Sequence, residues 1–416
     1  MMKTKNIKYI LFLLLTITLC PICQAQETRD ATEYTLSFHD YLTAVSKNNL
    51  SYLSEKYEVD IAEAEVIAQK VLPDPELLFE GTNDQYKLGL GYTLELGNKR
   101  GARVRLARSQ AELQKLALEY YFHELRAEAA NLFIDAMQQK ELLDLKKSSY
   151  EYMLQLSRTD STRFVWGEIT EIDAHQTRLE ASILLNDVYE QEAVYKSSLA
   201  LLNQSMGKRS DTLQVPQGSW EVHEKDYLLP QLFELGLTNR IDLYAAHKNI
   251  EVAINQQKQV RAERKIDLGL TAEYERDWRG FLPPSKSYVL GVSIPLKFSN
   301  FNKGSIKAAE FGVEQSKVQQ QNLELQIQSE ISQAYFSFDA TKKKVKQYQG
   351  GLLEQSQKIL DAMVKKYRIG DTSILEVLVA QRTYIEVQEQ YLETRKDYAS
   401  ALINLQKTCG IWDIDL

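Results

Sequence analysis

Strict alternation of apolar and polar residues runs through Tyr86-Lys-Leu-Gly-Leu-Gly-Tyr-Thr-Leu-Glu-Leu96. Leu88, Leu90, Tyr92, Leu94 and Leu96 fall on one face; Lys87, Gly89, Gly91, Thr93 and Glu95 fall on the other. A period of two is the strand signature. Asn83-Asp84 marks a tight turn, so residues 76–96 predict a β-hairpin with arms of about ten residues, the length of a tilted membrane-crossing strand. The pattern returns in Leu268, Leu270, Ala272 and Tyr274, and in Tyr288, Leu290, Val292 and Ile294, which predicts a second hairpin over residues 267–297 with a longer loop, Arg279 to Lys286.

Elsewhere the period is helical. Leu42, Val45, Leu50, Leu53, Val59 and Ile61 carry it through residues 36–71, with a break near Asn48-Asn49. Leu72-Pro-Asp-Pro75 ends it, because proline cannot continue a helix and restricts the residue before it. Residues 98–162 contain no proline, and one helix over that span would be about 100 Å long. Phe164-Val-Trp-Gly167 interrupts it, and a helix over 168–206 returns. Residues 210–225, with Pro216, Gly218 and Trp220, read as a linker. Residues 226–264 read as helix. A second very long helix is expected over 302–366, bent by Gly350-Gly351, and its return over 371–409 ends at Gly410.

The order helix, hairpin, long helix, returning helix thus occurs twice, in repeats 26–209 and 226–416. Gly101, Gly167 and Gly207 recur as Gly304, Gly370 and Gly410, each 203 positions on. At the same offset Phe133 meets Phe336, and Tyr195, Leu199 and Leu202 meet Tyr398, Leu402 and Leu405. The fold class expected is mainly α with β, the long helix pairs forming antiparallel coiled coils. One copy supplies four strands, too few to close a barrel, so several copies must pool them.

Composition adds the compartment. The N-terminus has three lysines, an apolar run from about Tyr9 to Leu19 and then small and polar residues, which reads as a signal peptide over residues 1–25. The alternative, lipidation at Cys20 or Cys23, lacks the small residue a lipoprotein signal wants before the cysteine. Removing residues 1–25 takes away three lysines and no acid, so the net charge goes from −7 to −10. That balance argues against nucleic acid as a partner. Only Cys409 survives, so no disulfide within the chain is expected. No other segment is apolar enough for a membrane helix, and a chain that spans a membrane without one must use strands.

With these elements in place, the chain resembles the TolC-like outer membrane efflux protein family over essentially its whole mature length. Gly291-Val-Ser-Ile-Pro-Leu296 runs into Asn302-Lys-Gly304, and Tyr367-Arg-Ile-Gly-Asp-Thr-Ser-Ile-Leu-Glu-Val-Leu-Val-Ala-Gln-Arg382 looks like the family's periplasmic turn and returning helix. Leu72-Pro-Asp-Pro75 and Leu237-Thr-Asn-Arg-Ile-Asp-Leu243 look like further landmarks. The resemblance implies a homotrimer, with twelve pooled strands in one outer membrane β-barrel embedded in outer membrane lipid. Twelve helices would form a hollow α-barrel across the periplasm. A periplasmic adaptor protein and an inner membrane pump would be the partners, and the chain itself the passive exit duct, with no cofactor. Glu95-Leu-Gly-Asn-Lys-Arg-Gly-Ala-Arg103 resembles the branch serving heavy-metal cation pumps, although at a strand-to-helix junction it could be purely structural.

The resemblance also implies site residues. The family's entrance is narrowed by acidic rings on the second returning helix, and the first such position is Glu376 here. Asp173 is its counterpart in the first repeat. The next acidic position is Val379, so an apolar ring beside an acidic one is expected. Three Glu376 carboxylates around an axis would favour cations; the plain alternative is a solvated helix face. Tyr367, Arg368, Gly370 and Asp371 flank the second turn and could either hold a closed tip or do ordinary turn chemistry. Phe164, Val165, Trp166 and Gly167 form an apolar turn that would be an adaptor contact if exposed and a tip staple if buried.

His39, His123, His175, His223 and His247 are scattered without metal-ligand spacing, and no enzyme motif is present. A periplasmic coiled-coil adaptor is the competing expectation. It would need only one helical hairpin.

Overall fold

In a computed structural model the described residues are 34–210, 212–218, 226–278, 283, 285–296 and 302–414. The proposed signal peptide, His223 and the tip of the second hairpin lie outside them. The chain is mostly helical with some sheet.

A short strand β1 (Tyr34–Leu36) leads to α1 (Phe38–Asn48) and α2 (Leu50–Ala68). The break between these helices is a change of cap. Asn49 closes α1, and its side chain accepts the Tyr52 amide to start α2. Its amide group also donates to the Ser205 carbonyl at 2.9 Å, which fixes the break against a distant helix. After Leu72-Pro-Asp-Pro75 come β2 (Glu76–Gly81) and β3 (Gln85–Leu94), then α3 (Lys99–Val165) and α4 (Glu171–Ser205).

The 210–225 segment holds an element the sequence did not predict. β4 (Gln214–Pro216) pairs in parallel with β1, and Gln217 N–H donates to the Leu36 carbonyl. Three residues are too few to display a period, and the partner lies some 180 positions away. The 226–264 helix is also two helices, α5 (Leu229–Asn239) and α6 (Ile241–Glu263). They part at Arg240, which is extended at φ −72°, ψ 124°. The second hairpin is β5 (Leu268–Asp277) and β6 (Ser285–Ser293).

The second long helix is α7 (Lys303–Gln347), a π-turn at Tyr348–Leu352, and α8 (Leu353–Arg368). Gly351 takes φ +131°, which other residues rarely adopt, and there the helix bends. The return is α9 (Ile374–Thr408).

The repeated glycines have one local cause at the helix ends. After α3, Gly167 N–H bonds the Phe164 carbonyl and Glu168 N–H bonds that of Arg163. After α8, Gly370 and Asp371 make the same pair of bonds to Tyr367 and Lys366. Both glycines are left-handed, at φ +76° and +79°, as this helix ending requires.

The repeat is not exact in its packing. Leu202 and Leu405 are both fully buried, but Phe133 is buried while its counterpart Phe336 is 62% exposed.

Three apolar clusters run along the helices. One gathers α1, α3, α4 and the β1–β4 pair around Tyr41, Phe133 and Leu199. One joins α5 and α6 to α7 and α9 around Ile327, Ile331 and Leu405. The third lies toward the helix turns, where Met153, Leu184, Leu360 and Val377 bring α3, α4, α8 and α9 together. Polar ties run beside them: α9 is fastened to α3 by Lys407–Glu124, Lys396–Asp135, Arg395–Glu141 and Lys146–Glu389.

Candidate functional site: an apolar sheet wall and a helical tip

At one end of the helices the two hairpins form one sheet, in the order β2-β3-β5-β6, antiparallel throughout. Residues directly opposite each other point to the same side. One row is Phe79, Leu88, Tyr274 and Tyr288; the next is Leu77, Leu90, Ala272 and Leu290; the next is Tyr92, Leu270 and Val292. This face is apolar without a break, and much of it is exposed: Phe79 73%, Tyr288 82%, Leu290 85%.

The opposite face carries Glu80, Lys87 and Glu275 in one row, and Gly91, Thr271 and Gly291 in another. An isolated sheet normally hides its apolar face and solvates the other. Here none of the described residues covers the apolar side. Both edge strands, β2 and β6, lack a second neighbour in this sheet. Among the described residues no helix is long and apolar enough to cross a membrane.

The junction below the sheet accounts for Glu95-Leu-Gly-Asn-Lys-Arg-Gly-Ala-Arg103. Arg103 makes a two-pronged pair with Glu95, one contact at 3.0 Å, and Lys99 Nζ lies 2.5 Å from Asp267 at the start of the second hairpin. Asn98 opens α3 in the left-handed region at φ 59°. A side chain at Gly101 would meet the Asn98 amide at 2.1 Å. The motif therefore welds strand to helix and one hairpin to the other.

The Leu237–Leu243 landmark is likewise structural. Arg240 reaches Asp242 and Glu330, each at 2.5 Å, and the Thr408 carbonyl at 3.4 Å. Burial opposes its charge, but the two carboxylates outweigh burial and raise its pKa. A cleft of about 410 Å³ opens beside it, lined in part by His123, Glu124 and Lys407. Burial lowers the His123 pKa. The cleft's cations Arg240 and Lys407 are already paired to carboxylates. Among the described residues no group of His, Cys, Asp and Glu has the arrangement of a metal site.

At the far end, the two turns expose apolar side chains. Val165 is 79% exposed, Trp166 71%, and Phe164 less so. Ile369, at the matching turn, is 79% exposed and was not singled out in the sequence. On α9, Glu376 and Val379 lie one turn apart, and both are exposed. Asp173 is different. Its carboxylate accepts the Thr170 hydroxyl at 2.8 Å and amide at 3.3 Å, closing a capping box at the start of α4.

Tyr367 is buried; Arg368 and Asp371 are exposed, and the Asp371 N–H donates to the Lys366 carbonyl. The sequence missed the partner of Tyr367. Asp160, near the end of α3, has no exposed surface, and its carboxylate oxygens have no hydrogen bond of normal geometry. Burial raises its pKa, while Tyr367, Arg163 and Thr177 oppose the rise. Arg163 sits 3.8 Å from Asp160 and 5.2 Å from the centre of the Tyr367 ring. Burial and the nearby Asp160 raise the Tyr367 phenol in turn. A polar knot thus joins the first helical hairpin to the second just inside the turns. Farther in, Arg382 on α9 grips Glu180 on α4 through two bonds of 3.1 and 2.7 Å.

Residues 232–410 match the family described as "Outer membrane efflux protein". The chain is 23% identical over 377 residues to the cobalt-zinc-cadmium resistance protein CzcC of Cupriavidus metallidurans, covering 89% of this chain and 88% of that one. In fold it is similar to a membrane protein from Pseudomonas aeruginosa, with a TM-score of 0.75 at 16% identity over 89% of this chain and 92% of that one. CusC, described as forming a transmembrane channel, gives a TM-score of 0.73 at 16% identity over 90% and 92%.

Proposed function

We infer that this chain, a TolC-like outer membrane efflux protein, is the exit duct of a tripartite efflux system in the outer membrane of a Gram-negative bacterium. The observation that carries the reading is the sheet: one unbroken, exposed apolar face, two open edges, and long helical hairpins running from one end. Water disfavours such a face and such edges. A bilayer accepts both if the edges close on other copies. Three copies would pool twelve strands into one barrel, apolar outside and polar within. Their helices would enclose a passage extending into the periplasm.

The duct does no chemistry. An inner membrane pump supplies the energy, and a periplasmic adaptor meets the exposed tips, Phe164-Val-Trp-Gly167 together with Ile369. Glu376 carboxylates, repeated around the axis beside Val379, form an entrance that attracts cations. Asp173 is less suited to that role, since its carboxylate is committed to the capping box. The Asp160–Tyr367–Arg163 knot and the Arg382–Glu180 pair hold the second hairpin against the first in the closed state. The CzcC likeness supports metal cations as the substrate class.

The test is the particle extracted from outer membranes. Light scattering and negative-stain images should give an elongated trimer in detergent, with a body longer than about 100 Å. A monomer soluble without detergent would reject the duct.

A further inference from the structure

The apolar face ends, away from the helices, in a belt of aromatic rings. Tyr274 lies 5.5 Å from Tyr288 and 6.2 Å from Tyr86, ring centre to ring centre, and Trp278 lies 5.7 Å from Tyr86. Trp278 is held there by its indole N–H, which donates to the Asn83 carbonyl at 2.9 Å. Aromatic rings of this kind sit where a bilayer's hydrocarbon meets its headgroups.

The next row outward is Tyr86, Arg276 and Lys286. Arg276 and Lys286 are directly opposite each other on β5 and β6, both on the membrane-facing side and both exposed. Like charges in that position repel. Neither has an ion pair among the described residues. The sheet's nearby carboxylates, Glu273, Glu275 and Asp277, belong to the opposite face. Two adjacent cations set among the aromatic belt, with no ion pair among the described residues, match the charge of a phosphorylated headgroup at that depth.

We propose that Arg276 and Lys286 form a binding site for the phosphate groups of outer-leaflet glycolipid. The proposal rests on the sheet being a membrane wall. The lipid's acyl chains lie along the apolar rows, and its phosphates sit over the two cations. A guanidinium and an ammonium together suit such a group: Arg276 offers a two-pronged contact and Lys286 a mobile point charge.

The experiment uses the full chain purified in detergent and reconstituted into phosphatidylcholine nanodiscs, with diphosphoryl lipid A as the probe. Wild-type protein should bind the probe with an affinity that falls as salt rises to about 0.5 M. The double variant Arg276→Gln/Lys286→Gln should insert into phosphatidylcholine normally but bind the probe on the order of 10-fold more weakly. Equal binding by both proteins, or wild-type binding indifferent to salt, overturns the site and leaves the duct reading intact. Failure of the wild-type chain to insert into phosphatidylcholine overturns the membrane-wall reading and the site with it. The salt series needs only wild-type protein, so salt-indifferent binding would overturn the site even if the variant does not fold.

Discussion

Asp160 is a carboxylate held where water cannot reach it, within the influence of one arginine, one tyrosine and one threonine. Its raised pKa sets the sign of its pH dependence. Below the ordinary aspartate value the group is neutral in both folded and unfolded chains and costs nothing. As pH rises through the window between the ordinary and the raised value, only the unfolded chain ionises freely, so stability is lost. The tip should therefore be tighter on the acid side of that window than on its alkaline side. Hydrogen exchange across residues 155–175 and 360–375 should show protection that falls as pH rises through that window, and Asp160→Asn should flatten the difference. Unchanged exchange in the variant would remove Asp160 from any part in the tip.

Tyr367→Phe keeps the ring under Arg163 and removes only the hydroxyl. In reconstituted channels it should leave the open fraction within about two-fold, since the hydroxyl makes no hydrogen bond of normal geometry and its loss strands no partner. Glu376→Gln should lower cation preference in bilayer conductance while leaving thermal stability within about 0.5 kcal/mol, because the side chain is exposed. Loss of stability with no change in preference would mark Glu376 as a structural residue.

At the level of elements, the two helical hairpins are built differently. α3 runs unbroken for 67 residues, whereas its counterpart is divided by the π-turn at Tyr348–Leu352. Across that turn Tyr348 donates to the Gln390 side chain at 3.1 Å and leans on Tyr391. An unbroken helix resists bending, and a π-turn supplies a place to bend. Gly351→Ala would put a side chain at φ +131°, and its melting temperature should fall by several degrees, corresponding to about 1–3 kcal/mol. An unchanged melting temperature would show that the turn relaxes to ordinary helix at no cost.

Arg240 acts between elements as well, joining the α5–α6 break to α7 and the end of α9. Arg240→Ala strands Asp242 and Glu330 and should cost about 3 kcal/mol in chemical unfolding. A cost under about 1 kcal/mol would mean that water replaces the guanidinium.

For the whole molecule, two ends with opposite needs explain the design. The sheet end presents apolar surface that water disfavours, and the tip end presents a smaller apolar surface beside carboxylates. Between them the chain invests in helix packing and in the ion pairs linking α9 to α3. Those pairs are half-exposed, so each contributes little and together they guide register more than they add stability.

The periods of two and of about 3.6, the prolines and the left-handed glycines determined which elements form and roughly where they end. Those properties depend on residues within a turn or two of one another, so they are written locally. The apolar face of β3 was visible in this way, as were the Gly167 and Gly370 turns and the bend at Gly350-Gly351. The pairing of β1 with β4, the burial of Phe133 against the exposure of Phe336, and the meeting of Asp160 with Tyr367 were decided only by the tertiary structure. So was the division of labour among acids: Asp173 is engaged in a cap, Asp160 is buried, and Glu376 is exposed. Asp160 and Tyr367 lie more than 200 positions apart. Nothing in the chemistry of either residue's neighbours encodes the helix crossing that brings them together, because that crossing is the joint outcome of packing along four helices.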